Sequence, residues 1–398
     1  MPRPAQLAPG SVRRPRVAPP EHGPPPRALV GQIHACTALV AVAGVTGSLF
    51  VLDALRSHFA SARGMVALVG VLWAAGAVAG LLVPRAVIKR RVRSASPGHD
   101  ATSADGVSLE FAATLTGVLA LGLAGAWTLL LILSARLDSW QHWHAQRFLH
   151  PPWLAELLRL LPVALGLVLV AAAGAMVMVA LHGWQRLVRP RRARAVSVWV
   201  VALAATALTG FVVRGQPRPV APALAALLAS YGAAIAAVVR RATGGHAHEP
   251  ATQPMLRPRQ FWPELTGAGV AAALAGAASM RHLPAVTLDH AQAATGVSLV
   301  AGAALVGVLA AGPIARRWPT SWRVPAVLVL AEVMLLWTPV GGALLATVHV
   351  LATVAVGIVG RRLSAAFGRA PPALAWVGAA GASGYGFGLL AGYWLAVG

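Results

Sequence analysis

Arg240–Glu264 reads RRATGGHAHEPATQPMLRPRQFWPE. It is polar, basic and proline-bearing, and it lies between two long blocks that are almost wholly apolar. Counting the apolar runs on each side of it decides the fold. Before it, runs fall near 30–52, 65–84, 110–134, 160–182, 195–213 and 219–239. After it they fall near 265–282, 293–314, 324–339, 341–360 and 372–397. Runs of about 20 apolar residues match the thickness of a bilayer core, whereas barrel strands are about half that long. Hydrophobic residues make up 57% of the chain and charged residues 11%, against about 25% charged in soluble domains. The expected class is all-α: a polytopic helical membrane protein with about 11 transmembrane helices in a 6+5 arrangement.

Charge placement orients the chain. The formal net charge is +22, but the arginines recur in short clusters between apolar runs and do not gather in one basic domain. That pattern belongs to cytoplasmic loops, not to a nucleic-acid surface. The clusters Lys89-Arg90-Arg91-Arg93, Arg189-Arg191-Arg192-Arg194, Arg240-Arg241, Arg316-Arg317-Arg323 and Arg361-Arg362-Arg369 follow the second, fourth, sixth, eighth and tenth runs. One orientation satisfies all of them: N-terminus and central segment cytoplasmic, C-terminus outside, in a cell (inner) membrane. The expected organisation is a disordered cytoplasmic tail over 1–28, a six-helix bundle over 29–239, a cytoplasmic linker over 240–264 and a second bundle of about five helices over 265–398. The tail is rich in Pro and Arg, too poor in apolar residues to build a core, and is not expected to be a signal peptide.

Two local patterns carry structural expectations. Ser134–Arg159 holds Trp140, Trp143 and Trp153, a density that suggests an element lying in the outer membrane interface. Its His142, His144 and His150, like His246 and His248, have H-x-H-type spacing that does not place two ligands on one helix face, so no metal is expected. Gly76 and Gly80, and likewise Gly384, Gly388 and Gly392, are spaced by four and lie on one helix face. Such faces let a second helix approach closely, here expected within one chain. The single cysteine, Cys36, excludes an intrachain disulfide.

The two blocks share a feature. The second run ends in GLLVPRAVIKRR (Gly80 to Arg91) and the eighth in LAAGPIARRWP (Leu309 to Pro319). A basic segment at matching places in two halves marks a parallel repeat. This arrangement resembles the major facilitator superfamily, in which a loop of the type G-x-x-x-D-R-x-G-R-R joins the second and third spans and a weaker copy joins the eighth and ninth. The matching residues are Gly80, Arg85, Lys89, Arg90 and Arg91, then Gly312, Arg316 and Arg317. The loop Asp and the Gly before the last basic pair are absent, with Val83 or Pro84 at the Asp position. SLFVLDALRSHF and the run Ala291 to Leu336 look faintly like lysophospholipid-transporter-type members. The resemblance implies two bundles rocking about a central path for a small or lipid-like solute.

Ionisable groups inside spans cost roughly 2.5–3.5 kcal/mol at the helix centre and so point to function. Glu332 lies mid-span in VLAEVMLLW and His349 mid-span in LATVHVLAT. The two runs are joined by a tight turn, so these residues could face one another and carry a proton; alternatively each is a packed interior group. Asp53 ends the first span, where it either lines an outer mouth or pairs locally with Arg56. His34 opens the same span with Gln32, in reach of headgroups or substrate. No phosphate loop, nucleophile elbow, H-E-x-x-H or clustered Asp motif is present, so neither an enzyme nor a cofactor is expected. The expected function is a secondary transporter of a small or amphipathic solute, with Glu332 and His349 as the candidate proton-coupling pair. The alternative is a non-transporting, transporter-like subunit of a larger membrane complex.

Overall fold

The computed structural model describes residues 27–55, 61–94, 103–144, 152–187, 192–214, 220–243, 261–282, 290–317, 323–336, 342–366 and 371–397. The tail before Arg27 and most of the central segment lie outside the described residues. Among the described residues there are eleven helices and no strand. They are α1 (Arg27–Leu55), α2 (Ala62–Ser94), α3 (Ser103–His144), α4 (Pro152–Leu187), α5 (Arg192–Val213), α6 (Val220–Thr243), α7 (Trp262–His282), α8 (His290–Arg317), α9 (Arg323–Leu336), α10 (Gly342–Ala366) and α11 (Pro371–Val397). Eight of them, α1 to α6 with α8 and α10, are long and apolar enough to cross a membrane. Helices suit that setting because each satisfies its own backbone hydrogen bonds.

Several helices overrun the apolar runs that announce them. The basic segment ending at Arg91 is not a loop but the last turns of α2, and Arg316 and Arg317 form the last turn of α8. Lys and Arg are good helix formers and are favoured near helix C-termini, so charge ends the apolar run without ending the helix. The tryptophan-rich segment expected as a separate interfacial element starts as a continuation of α3 through His144, and α4 begins at Pro152.

Pairing between helices follows a pattern. In the first block α2 packs on α4, α1 on α4 and α5, and α6 on both α1 and α3. In the second, α8 packs on α10, and α7 on α10 and α11. Adding six to the first three pairings gives α8 with α10, α7 with α10 and α7 with α11. The blocks meet through α2 with α11 and through α5 with α8. The main core cluster joins α1 to α6 around Ile33, Leu81, Leu130, Met176 and the fully buried Trp127, whose indole lies against Gly47 of α1.

Backbone contact through small residues sets the tightest seams. A Cβ at Gly80 would lie 2.5 Å from the Ala175 carbonyl oxygen, and one at Gly76 would strike Ala171 of the same helix. From the other side, Gly174 meets the backbone of Trp73. On α11, Gly384, Gly388 and Gly392 lie against Gly269, Ala273 and Ala277 of α7. Both four-residue spacings are thus seams within one chain, and each matches a four-residue spacing on its partner helix.

Candidate functional site

The second block holds a polar cluster built by three helices, with His349 buried and Ser279 and Tyr385 half-buried. On α10, His349 follows Leu345 by one turn, and its Nδ1 lies 2.8 Å from the Leu345 carbonyl oxygen. A carbonyl only accepts, so Nδ1 carries hydrogen and donates. The other ring nitrogen, Nε2, lies 3.2 Å from Ser279 Oγ on α7. Ser279 Oγ is also 3.0 Å from Tyr385 Oη on α11 and 3.0 Å from the Ala275 carbonyl one turn back. The imidazole and phenol rings meet edge on, with centroids 6.0 Å apart. Tyr385 reaches Ser279 because Gly276 presents no side chain to α11: a Cβ there would strike the Tyr385 carbonyl. The α7–α11 seam is therefore what brings the two hydroxyls within bonding distance.

Glu332 lies on α9, which packs on both α7 and α10. It lies one turn beyond Leu328 and Val329 of α9, which pack on Ala271, Ala275 and Ala278 of α7 and Val348 and Ala352 of α10. Its side chain is 0% exposed, and neither carboxyl oxygen has a hydrogen-bond partner among the described residues. A buried polar group without a partner costs roughly 1–3 kcal/mol on protein scales. The expected face-to-face pairing of Glu332 and His349 is not made as a hydrogen bond, since Leu345 and Ser279 occupy both ring nitrogens.

The other expected site residues stand apart. His34 Nε2 lies 2.9 Å from Ser197 Oγ, tying α1 to α5 in the first block. Asp53 is half-buried in the last turns of α1. Arg85, Lys89, Arg90 and Arg91 are helical, and their side chains lie outside the described residues. Arg316 and Arg317 are exposed at the end of α8, where the Arg361 Nη1 of α10 donates to the Gly312 carbonyl at 3.3 Å. Ser279 and Tyr385 are functional candidates that the sequence did not single out. Among the described residues no three His, Cys, Asp or Glu side chains gather as a metal-binding group.

Gly80 and Gly312 occupy matching places in the two basic segments but resist a side chain for different reasons. A Cβ at Gly312 would meet the mobile tip of Arg361, at 2.9 Å from Nη2, whereas Gly80 faces backbone. Gly80→Ala should therefore lower stability by about 1–3 kcal/mol, the usual cost of overpacking, and Gly312→Ala by less than about 1 kcal/mol. Thermal unfolding midpoints in one detergent would check the ordering.

Comparison of the sequence with protein-family models and with curated proteins returns no match.

Proposed function

We propose that the chain is a secondary membrane transporter of a small or amphipathic solute, coupled to protons through the polar cluster of the second block. The observation that carries this reading is the Ser279–His349–Tyr385 cluster, together with Glu332 on a helix packed against α7 and α10, whose carboxyl oxygens have no hydrogen-bond partner among the described residues. Ionisable groups held in apolar helices are costly, and transporters use them as ion relays. The helix pairing supports the architecture. Its recurrence with an offset of six is what a parallel repeat requires, and the same offset relates the two inter-block contacts, α2 with α11 and α8 with α5. On this reading all eleven helices span the membrane in a 6+5, major-facilitator-like arrangement, and the α1–α6 and α7–α11 blocks rock against each other. The basic helix ends then lie at the cytoplasmic face, with the N-terminus inside and the C-terminus outside.

A second reading has its own observation. In the first block α6 fills the angle between α1 and α3. No described helix fills the corresponding angle between α7 and α9, and Val327 and Leu330 of α9 are exposed. That favours a transporter-like subunit in which a helix of a larger complex fills this angle.

Proteoliposomes decide between them. A panel of small and amphipathic solutes is first screened for thermal stabilisation of the purified protein. Uptake of the best binder is then measured with and without an imposed pH gradient. Gradient-driven uptake that falls at least about tenfold in Glu332→Gln and His349→Ala is expected. Uptake that ignores the gradient removes the coupling. Absence of binding by the isolated chain, with a stoichiometric partner after mild solubilisation, supports the subunit reading.

A further inference from the structure

We propose that Ser279, His349, Tyr385 and Glu332 form a single proton-binding site in which the Ser279 hydroxyl reverses its hydrogen bond when His349 takes up a proton. This deepens the transporter reading and rests on it for its physiological purpose, but its chemistry requires no solute. The geometry supports two complete bonding arrangements on the same heavy atoms. With the ring neutral, Nδ1–H donates to the Leu345 carbonyl, the Ser279 hydroxyl donates to Nε2, and the Tyr385 hydroxyl donates to Ser279 Oγ. With the ring protonated, Nε2–H donates to Ser279 Oγ, and the Ser279 hydrogen swings to the Ala275 carbonyl 3.0 Å away. Ser279 Oγ then accepts from both Nε2 and Tyr385, as its two lone pairs allow. One proton is added to the Nε2 lone pair, no other covalent bond changes, and every N–H and O–H of the trio has an acceptor in both arrangements. A residue with only a donor or only an acceptor at position 279 would serve one state and oppose the other.

The charge of the protonated ring needs an answer, and the packed elements offer one. The titratable or charged side chains on the helices packed against α10 are few. On α7, Glu264 lies 15 residues before Ser279, about 22 Å along the helix axis, and Arg281 is exposed. On α8, Arg316 and Arg317 are exposed at the C-terminal end; His282 ends α7, His290 opens α8 and Arg323 opens α9, and their side chains lie outside the described residues. On α11 there are Tyr385 itself and Tyr393, whose ring packs on Trp394. Arg361 and Arg362 of α10 lie three turns beyond His349. Among the described residues that leaves Glu332 as the acid nearest by packing. Its carboxylate form, buried on the helix face that meets α7 and α10, offsets the charge that the ring gains when it takes a proton from outside the pocket. The pocket then goes from a net charge of −1 to neutral.

The test reads the histidine directly. Full-length protein carrying nitrogen-isotope-labelled histidine is placed in lipid nanodiscs and followed by NMR from about pH 5 to pH 9, the range in which histidine charge changes. His349→Gln identifies the signal. The expected result is a neutral Nδ1–H tautomer that exchanges with the imidazolium. Ser279→Ala and Glu332→Gln should each reduce the imidazolium population at least about tenfold at a given pH, which is one unit of midpoint. Ser279→Thr, which keeps the hydroxyl, should restore it. A wild-type ring held in one form across the range, a neutral ring with its hydrogen on Nε2, or a Ser279→Ala protein that titrates like wild type would each overturn the proposal. Because no solute enters the measurement, a negative result here leaves uptake to be judged separately, and a protein that transports nothing can still show the titration.

Discussion

Glu332→Met should raise the stability of the protein and, on the transporter reading, abolish gradient-driven uptake. The two effects have one cause. In the wild type a carboxyl sits fully buried with neither oxygen bonded among the described residues. Methionine has similar length, is apolar and flexible, and fills irregular space well. Replacement removes the desolvation cost of an unpartnered polar group, worth roughly 1–3 kcal/mol, without opening the cavity that alanine would leave. The unfolding midpoint in detergent should rise accordingly. Uptake should fall to background, because Glu332 is the near acid among the described residues that can balance a protonated His349. Proteins hold destabilising groups of this kind where function requires them. Two results would count against the account. A lower midpoint would mean that the carboxyl has a partner worth more than its burial costs. A higher midpoint with unchanged uptake would make Glu332 a tolerated defect in α9.

The helices were legible because apolar runs of spanning length admit few other structures. Their ends were less so. The hydropathy of the chain drops at Arg85, but α2 continues to Ser94, since a helix does not end where its surroundings become polar. Gly384, Gly388 and Gly392 announced a close seam by spacing alone, yet nothing in the spacing named Gly269, Ala273 and Ala277 as the other side. Partner choice depends on helix order in space. The site was legible in part for the same reason. His349 stood out because ionisable residues inside apolar runs are rare, and α9 does pack on α10 as the tight turn between them required. Which way each helix is rotated is a packing outcome, and it gave the ring nitrogens to Leu345 and Ser279. Ser279 itself was hidden because a serine in an apolar helix commonly bonds one turn back, as it does to Ala275. Tyr385 left a stronger signal: one of three tyrosines in the chain, set in the glycine-rich middle of α11.

Gly388→Leu should be the most damaging single substitution in the second block, and it ties the seam to the site. A Cβ at Gly388 would fall against the carbonyl group of Ala273, 2.6 Å from its carbon and 2.7 Å from its Cα. Backbone cannot swing aside as a side-chain tip can, so α11 and α7 must separate along the whole Gly384–Gly392 face. Overpacking in a core costs about 1–3 kcal/mol and more where backbone must move, and the lost close contact along about two turns adds to that. A loss of more than about 3 kcal/mol is expected, seen as a large drop in unfolding midpoint or as failure to recover monodisperse protein. Gly381→Ala is the matched control: its Cβ would meet nothing within 4 Å, and removing a helical glycine there should be neutral or stabilising by up to about 1 kcal/mol. Gly388→Ala is the informative intermediate. It inserts one methyl, moves α11 by a fraction of a helix radius, and stretches the 3.0 Å bond between Tyr385 and Ser279 before the fold fails. If the protein then stays folded while the His349 titration shifts as it does in Ser279→Ala, the small-residue seam and the polar cluster are one device. If Gly388→Leu unfolds at the wild-type midpoint, α7 and α11 do not lie in backbone contact, and the bond between Ser279 and Tyr385 falls with that contact.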